Sequence, residues 1–277
     1  MISGNWRTRY NSVSMPSLPF VKATACGNDF ILIEGKHAKP ADMPELTRRI
    51  CERHLGVGAD GVEWLIPEQN DVADIRVKLY NADGSGAEVS GNGTRCVAAW
   101  LTHQTGKKEL KIQTDAGVKR CILTRQEGMN FEFQMSMGEA VVKDPIRLEL
   151  YTGQVEGIPV SMGNPHFVML VDDFEPDWQG EASVISTHRN FKQGMNVELV
   201  RARSSSEIEI RIFERGAGET QSSGTGSCAA AVASIFAGKA RSPVKVVSPG
   251  GAQIVEWNSE VILTGPAQIL CEGEFYL

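Results

Sequence analysis

Ser90-Gly91-Asn92-Gly93-Thr94-Arg95-Cys96-Val97-Ala98 and Ser223-Gly224-Thr225-Gly226-Ser227-Cys228-Ala229-Ala230-Ala231 decide how this chain folds. Each is a Ser-Gly-x-Gly turn that runs directly into a stretch of small and apolar residues. Upstream of each lies a second echo, Gly27-Asn28-Asp29-Phe30 in the first half and Gly163-Asn164-Pro165-His166-Phe167 in the second. The separation from asparagine to serine is 62 residues in one copy and 59 in the other. That period exceeds any solenoid unit and reads as two copies of one domain. Two such halves would face each other across a cleft, each offering one turn to the same small molecule.

Outward from the turns, the sequence alternates in strand fashion. Phe30–Glu34, Ala73–Tyr80 and Phe131–Met137 read as strands, and Lys111–Thr114 with Lys119–Leu123 frames the hairpin signal Asp115-Ala116-Gly117. The second half adds strands at His166–Val171, Met195–Val200, Glu207–Phe213, Val244–Val247, Gln253–Trp257 and Glu260–Leu263. Two clear helices interrupt this pattern, Thr94–Thr105 before Gly106 and Ser227–Ala237 before Gly238. Many strands and one marked helix per half give an α+β class, with each helix packed inside a curved sheet. The expected organisation is a disordered tail over 1–17, one α+β domain over 18–143 and a second over 144–277, its last strand crossing back to the first.

The 277 residues suffice for two cores. A hydrophobic share of 42% and a charged share of 22% are those of a soluble globular protein. The net charge of −6 argues against a nucleic-acid surface. No apolar run spans a membrane, and residues 1–14 lack the apolar core of a signal peptide. A cytoplasmic protein is expected, with its six scattered cysteines as free thiols. No histidine pair has metal-ligand spacing, so no metal is expected.

A glycine-rich turn entering a helix presents unpaired N–H groups and the positive end of the helix dipole, which together hold an anion. Neither copy carries a P-loop lysine or the G-x-G-x-x-G spacing of a dinucleotide fold. The pair therefore points to a small carboxylate held between two helix ends. Read as structure alone, the glycines serve tight turns, and Ser90 and Ser223 are helix N-caps. Read as chemistry, the two serines flank an α-carbon, and two opposed proton carriers are what stereoinversion needs. Serine is a poor reagent for that task. A thiol of pKa about 8.5 reaches its anion near neutral pH, and a hydroxyl does not without an adjacent base.

Six motifs, in order and spacing, resemble those of diaminopimelate epimerase from about Pro19 to the C-terminus. They are Gly27–Phe30, Asn81-Ala82-Asp83-Gly84-Ser85, Ser90–Cys96, Gly163–His166, Glu214-Arg215-Gly216-Ala217-Gly218-Glu219-Thr220 and Ser223–Gly226. The resemblance implies two pseudo-symmetric domains, each a β-barrel around a central helix, and an enzyme free of cofactor and metal. It implies interconversion of LL- and meso-diaminopimelate, on the lysine and peptidoglycan route, in a homodimer. Gly91, Asn92, Gly224 and Thr225 would clamp the reacting carboxylate. Asn28, Asn81, Asn164, Asn196 and Arg215 would read the distal amino-acid end, the guanidinium suiting a carboxylate through paired hydrogen bonds. Glu214 would meet the substrate ammonium, and His166 would support the catalytic pair.

Two departures stand out. The paired catalytic cysteines of the family fall on Ser90 and Ser223, and a family glutamine falls on Gly61. Cys96 and Cys228, set deeper in the helices, are expected to face the core, whereas Cys26 precedes the first turn and could approach the cleft. Three readings follow. One is an epimerase with both catalytic cysteines changed to serine, by engineering or for trapping a ligand. Another is a superfamily relative with other chemistry, such as a hydroxyproline dehydratase or racemase. The third is a non-catalytic amino-acid-binding protein. Arg215 and the asparagines suit a long substrate with a polar distal end rather than a proline-sized one.

Overall fold

The computed structural model describes residues 16–68 and 72–277. The expected tail lies, up to residue 15, outside the described residues; Ser17 already belongs to a strand and pairs with Tyr276. The first half contains β1 (Ser17–Ala25), β2 (Asn28–Glu34), α1 (Met43–Cys51), β3 (Gly61–Ile66), β4 (Ile75–Asn81), β5 (Gly86–Ala87), α2 (Gly91–Thr105), β6 (Glu109–Thr114), β7 (Gly117–Glu127) and β8 (Asn130–Gly138). The second contains β9 (Val141–Val142), β10 (Ile146–Leu150), β11 (Gly153–Ser161), β12 (Pro165–Leu170), α3 (Trp178–Ser186), β13 (Asn196–Ser204), β14 (Glu207–Glu214), β15 (Gly218–Thr220), α4 (Gly224–Phe236), β16 (Val244–Ser248), β17 (Gly251–Trp257) and β18 (Val261–Tyr276).

Hydrogen bonding runs β1–β2–β3–β4–β6–β7–β8–β18 and returns to β1, closing a barrel. A second ring runs β11–β12–β13–β14–β16–β17–β18–β8, completed where the chain passes from β8 into β9, which pairs with β11. The two rings share the β8·β18 ladder, from Asn130↔Gln268 to Gly138↔Val261. β18 reaches both rings because it is 16 residues long, its Val261–Thr264 end on β17 and its Gln268–Tyr276 end on β1.

The halves repeat each other pairing by pairing. β2 runs parallel to β3 as β12 does to β13, and β4 parallel to β6 as β14 does to β16. Parallel neighbours cannot be joined by a tight turn and need a crossover. The sequence reading of one helix per half is corrected here, because α1 and α3 are the crossovers between the first parallel pairs. Each has only nine residues, too few for the apolar period to stand out. α3 still shows a stripe, Trp178, Ala182 and Ile185, buried on Phe167 and Leu199. α1 buries Met43, Thr47 and Ile50 near Trp64, whose indole Nε1–H donates to the Thr47 hydroxyl at 3.1 Å.

α2 and α4 fill the barrels. Cys96–Ala99 and Cys228–Ala233 are wholly buried on every side, which explains their small residues: a helix ringed by strands has no outward face for long polar side chains. Both helices begin three residues earlier than the sequence pattern suggested, at Gly91 and Gly224, so the glycines are the first helical turn. Among the described residues no helix is long and apolar enough to cross a membrane.

Candidate active site

Ser90 and Ser223 take extended backbone and cap their helices. The Ser90 hydroxyl oxygen accepts from the Gly93 N–H at 3.1 Å, and that of Ser223 from Gly226 at 3.3 Å. The two capped ends abut. A Cβ built on Gly91 would lie 3.9 Å from the Gly224 Cα, and one built on Gly224 would lie 3.8 Å from the Gly91 Cα. Two positive helix ends thus converge on one place, which favours an anion there twice over. Ser223 is buried and Ser90 half-buried.

Around Ser223 the second half gathers its polar groups. His166, on β12, is 1% exposed; its Nδ1 lies 2.7 Å from Glu198 Oε1 and its Nε2 3.1 Å from Asn164 Oδ1. Asn164 in turn donates to Thr225 Oγ1 at 3.3 Å, tying the imidazole to the first turn of α4. Burial pushes the Glu198 carboxyl above the ordinary carboxylate range, against the opposing pull of His166. Glu214 is raised by burial as well, against hydrogen bonds from Thr220 (2.8 Å) and Ser223 and the charge of His166. Glu214 therefore lies on the Ser223 side of the helix junction. Asn196 joins the outer end of this cluster, donating to the Pro165 carbonyl at 3.0 Å and accepting from the Arg215 N–H at 3.0 Å. Arg215 is exposed, its Nη1 donating to the Gln193 carbonyl at 2.7 Å.

The first half is built differently. Asn92 donates to Asn28 Oδ1 at 2.7 Å and to the Ser222 hydroxyl at 3.4 Å, so one amide stitches the two halves together beside the helix junction. Asn28 donates to Asp60 at 3.0 Å. Asn81 is exposed, pairs with Gly61 across β3·β4 and donates to Ser85 Oγ at 3.0 Å, apart from the Asn92–Asn28 group. Arg95 is wholly buried and bonds Asn92 Oδ1, the Pro266 carbonyl (3.2 Å) and Cys26 Sγ (3.8 Å), leaving Nη1 without a partner.

The sequence gives no role to Ser222, Arg95, Glu198 or Glu63. The last two carried a legible signal, an acid set among apolar residues in Asn196-Val197-Glu198-Leu199-Val200 and Gly61-Val62-Glu63-Trp64-Leu65. All six cysteines are free. Cys96 and Cys228 are wholly buried; burial pushes both thiols up, that of Cys228 to about 12. Cys26 is buried beside Arg95 and Gly251, in left-handed backbone (φ 48°), with burial raising its thiol against the pull of the guanidinium.

A family model described as diaminopimelate epimerase matches residues 20–143 and 158–270. This chain belongs to the diaminopimelate epimerase family. Membership makes it an isomerase of the epimerase type. Diaminopimelate epimerase from Pelotomaculum thermopropionicum is 38% identical, with 92% of this chain and 98% of the relative covered. The enzyme of that name from Desulfitobacterium hafniense is 36% identical, with 92% and 97% covered. The fold is shared more widely. A phenazine biosynthesis protein of the PhzF family from Bacillus anthracis superposes with a TM-score of 0.72 at 15% identity, covering 94% of this chain and 99% of that one. A hydroxyproline epimerase from Agrobacterium vitis, with bound trans-4-hydroxy-L-proline, gives 0.70 at 15% identity, covering 94% and 91%. At that identity the likeness is one of fold alone.

Proposed function

We propose that the chain binds diaminopimelate at the junction of α2 and α4, and that Ser90 and Ser223 occupy the positions of the two catalytic thiols of the family. The observation that carries this reading is the meeting of two capped helix N-termini at Gly91 and Gly224, with a serine opening each. One carboxylate between those ends would accept N–H groups from Gly91, Asn92, Gly224 and Thr225, and its α-carbon would lie between the two hydroxyls. Epimerisation removes the α-proton to one side and returns a proton from the other. On one side, Glu214 can take the Ser223 proton as Ser223 takes the α-proton, and the His166–Glu198 pair sits behind it. The hydroxyls make this transfer far slower than thiols would. Asn28, Asn81, Asn164, Asn196 and Arg215 would hold the distal amino-acid end, with Glu214 near an ammonium. The reading includes two units over 18–143 and 144–277, a cytoplasmic setting and a homodimer.

The experiment is α-deuterium exchange of diaminopimelate in D₂O, on this chain and on a Ser90→Cys/Ser223→Cys double variant. Exchange restored in the double variant to at least a hundredfold above this chain supports the assignment of both positions. Tight binding without exchange in either protein favours the amino-acid-binding reading, which the two hydroxyls by themselves recommend. Absence of both binding and exchange in the double variant refutes the substrate.

A further inference from the structure

Glu63 is a buried acid that the reaction above does not use. It lies on β3, 1% exposed, and its Oε2 has no hydrogen-bond partner. Its carboxyl is pressed against the first turn of α2. A Cβ added at Gly93 would overlap Glu63 Oε1 and come within 3.3 Å of the Phe30 ring. The second half holds the matching arrangement. Glu198 on β13 aims its Oε1 at Gly226, where an added Cβ would lie 2.8 Å away. The pairings make the correspondence strict: Leu32↔Glu63 in the parallel pair β2·β3 repeats Val168↔Glu198 in β12·β13. The partner differs. Where the second half sets His166 against Glu198 at 2.7 Å, the first half has Phe30.

The groups around Glu63 give it no substitute. β2 presents Phe30 and Leu32, and β4 presents Leu79 across the strand pairing. The charged or titratable groups nearby are Asp29 of β2, engaged by Lys22 and Arg53, and Cys96 and Arg95 of α2. The Arg95 guanidinium turns to Asn92, Pro266 and Cys26. Burial alone governs Glu63, and pushes its carboxyl up to about 8.

We propose that Glu63 is a positioning residue of the carboxylate clamp, a neutral acid whose proton keeps negative charge out from under the α2 end so that this end can hold the substrate carboxylate. Ionised, Glu63 would compete for the same positive helix end and repel the ligand. Proton and ligand are therefore linked: an anion on the clamp keeps Glu63 protonated to higher pH, and loss of the proton weakens the anion. The inference rests on the proposed reading of the helix junction as a carboxylate site.

Infrared titration of the whole chain tests it. A protonated-carboxyl C=O component that Glu63→Gln removes is expected near neutral pH, lost on alkaline titration. Acetate, a bare carboxylate that needs only the clamp, should move its loss to higher pH. A Phe30→His variant, which rebuilds the His166–Glu198 pairing in the first half, should lose the band at neutral pH. For diaminopimelate, affinity measured by calorimetry should fall between pH 7 and 9.5 by roughly tenfold more in this chain than in Glu63→Gln. A spectrum identical in Glu63→Gln, or a band that acetate does not move, overturns the inference. So do parallel affinity profiles. If diaminopimelate fails to bind at any pH while acetate moves the band, the substrate reading falls and the role of Glu63 stands.

Discussion

Glu63 should leave its mark on stability before any ligand is added. An acid buried without a partner is protonated in the folded chain and ionised in the unfolded one over a window set by its two pKa values, here 4.5 in its ordinary state and about 8 when folded. The folded state then binds the extra proton, so unfolding free energy falls as pH rises through that window, by ~1.4 kcal/mol per pH unit. The sign is opposite to that of Asp29, Asp74 and Glu209, whose carboxyls the structure holds below the ordinary range and whose contribution is lost only as pH falls through the acid region. Glu198 and Glu214, both raised, slope the same way as Glu63 but are present in any Glu63 variant and cancel in a difference. Glu63→Gln keeps the shape and removes the proton. Between pH 5.5 and 7.5 its stability relative to the parent should therefore rise by about 3 kcal/mol. With an m-value on the order of 3 kcal/mol/M, the gap between the two urea midpoints should change by about 1 M. The constant cost of burying an amide in place of the acid shifts both ends of the comparison equally. A gap that stays the same at both pH values refutes the reasoning, because a Glu63 already ionised in the folded state contributes no slope in this window.

Other outcomes follow from single contacts. His166→Phe leaves Glu198 buried with no imidazole, and should cost ~3 kcal/mol in urea unfolding at pH 7, a loss that shrinks toward pH 5 as Glu198 takes up a proton. Ser90→Ala removes the acceptor for the Gly93 N–H and should cost ~1 kcal/mol of stability, read from the urea midpoint; an unchanged midpoint would deny the cap. Gly93→Ala drives a methyl into the Glu63 carboxyl and should cost ~1–3 kcal/mol, most of it recovered in a Glu63→Ala background, as a double-mutant cycle would show. Arg215→Lys keeps the charge but loses the paired geometry, and should weaken diaminopimelate binding about tenfold by calorimetry while leaving the urea midpoint in place.

Much of this was legible in the amino acids because repetition is a long-range signal. The paired Gly-Asn and Ser-Gly-x-Gly echoes announce two copies of one unit, and many strands with one marked helix per half give the α+β class. Alternation in Ile75–Asn81 and Glu207–Glu214 gave their strands, since one face of each lies on a core. The crossover helices α1 and α3 stayed hidden because nine residues hold barely two turns of period. Their existence follows from topology instead, once β2·β3 and β12·β13 are seen to be parallel. The late helix starts have a physical reason: glycine reads as a breaker, yet Gly91, Gly93, Gly224 and Gly226 are helical here, and at Gly93 and Gly226 a buried acid leaves no room for a side chain. Among site residues, those carried by the repeated motifs are legible, and the roles of the buried strand acids Glu63 and Glu198 are not. Glu198 and Glu63 look like ordinary charged strand residues until register shows that they point inward.

Register also shows where the two halves stop being copies. His166 stands where Phe30 does, and Asn196 where Gly61 does, on backbones that pair identically. A symmetric scaffold would give both faces of an α-carbon the same proton affinity, and a proton moves through such a site only if one face can receive while the other can give. Here the Ser223 side has an imidazole against a carboxyl and a second carboxyl at the hydroxyl, whereas the Ser90 side has one carboxyl shut in with a phenyl ring. The first can accept a proton by spreading charge over three groups. The second has no ion partner, so burial favours its neutral form. Apart from Glu214, the asymmetry sits one layer behind the serines, in His166 and Glu198 on one side and Phe30 and Glu63 on the other. On the proposed reading, thiols at Ser90 and Ser223 would therefore raise speed without changing which side is the stronger base. Exchange in D₂O by the Ser90→Cys/Ser223→Cys variant should accordingly proceed unequally from the two stereoisomers. Phe30→His in that background should bring the two rates together, and equal rates before that change would place the asymmetry elsewhere.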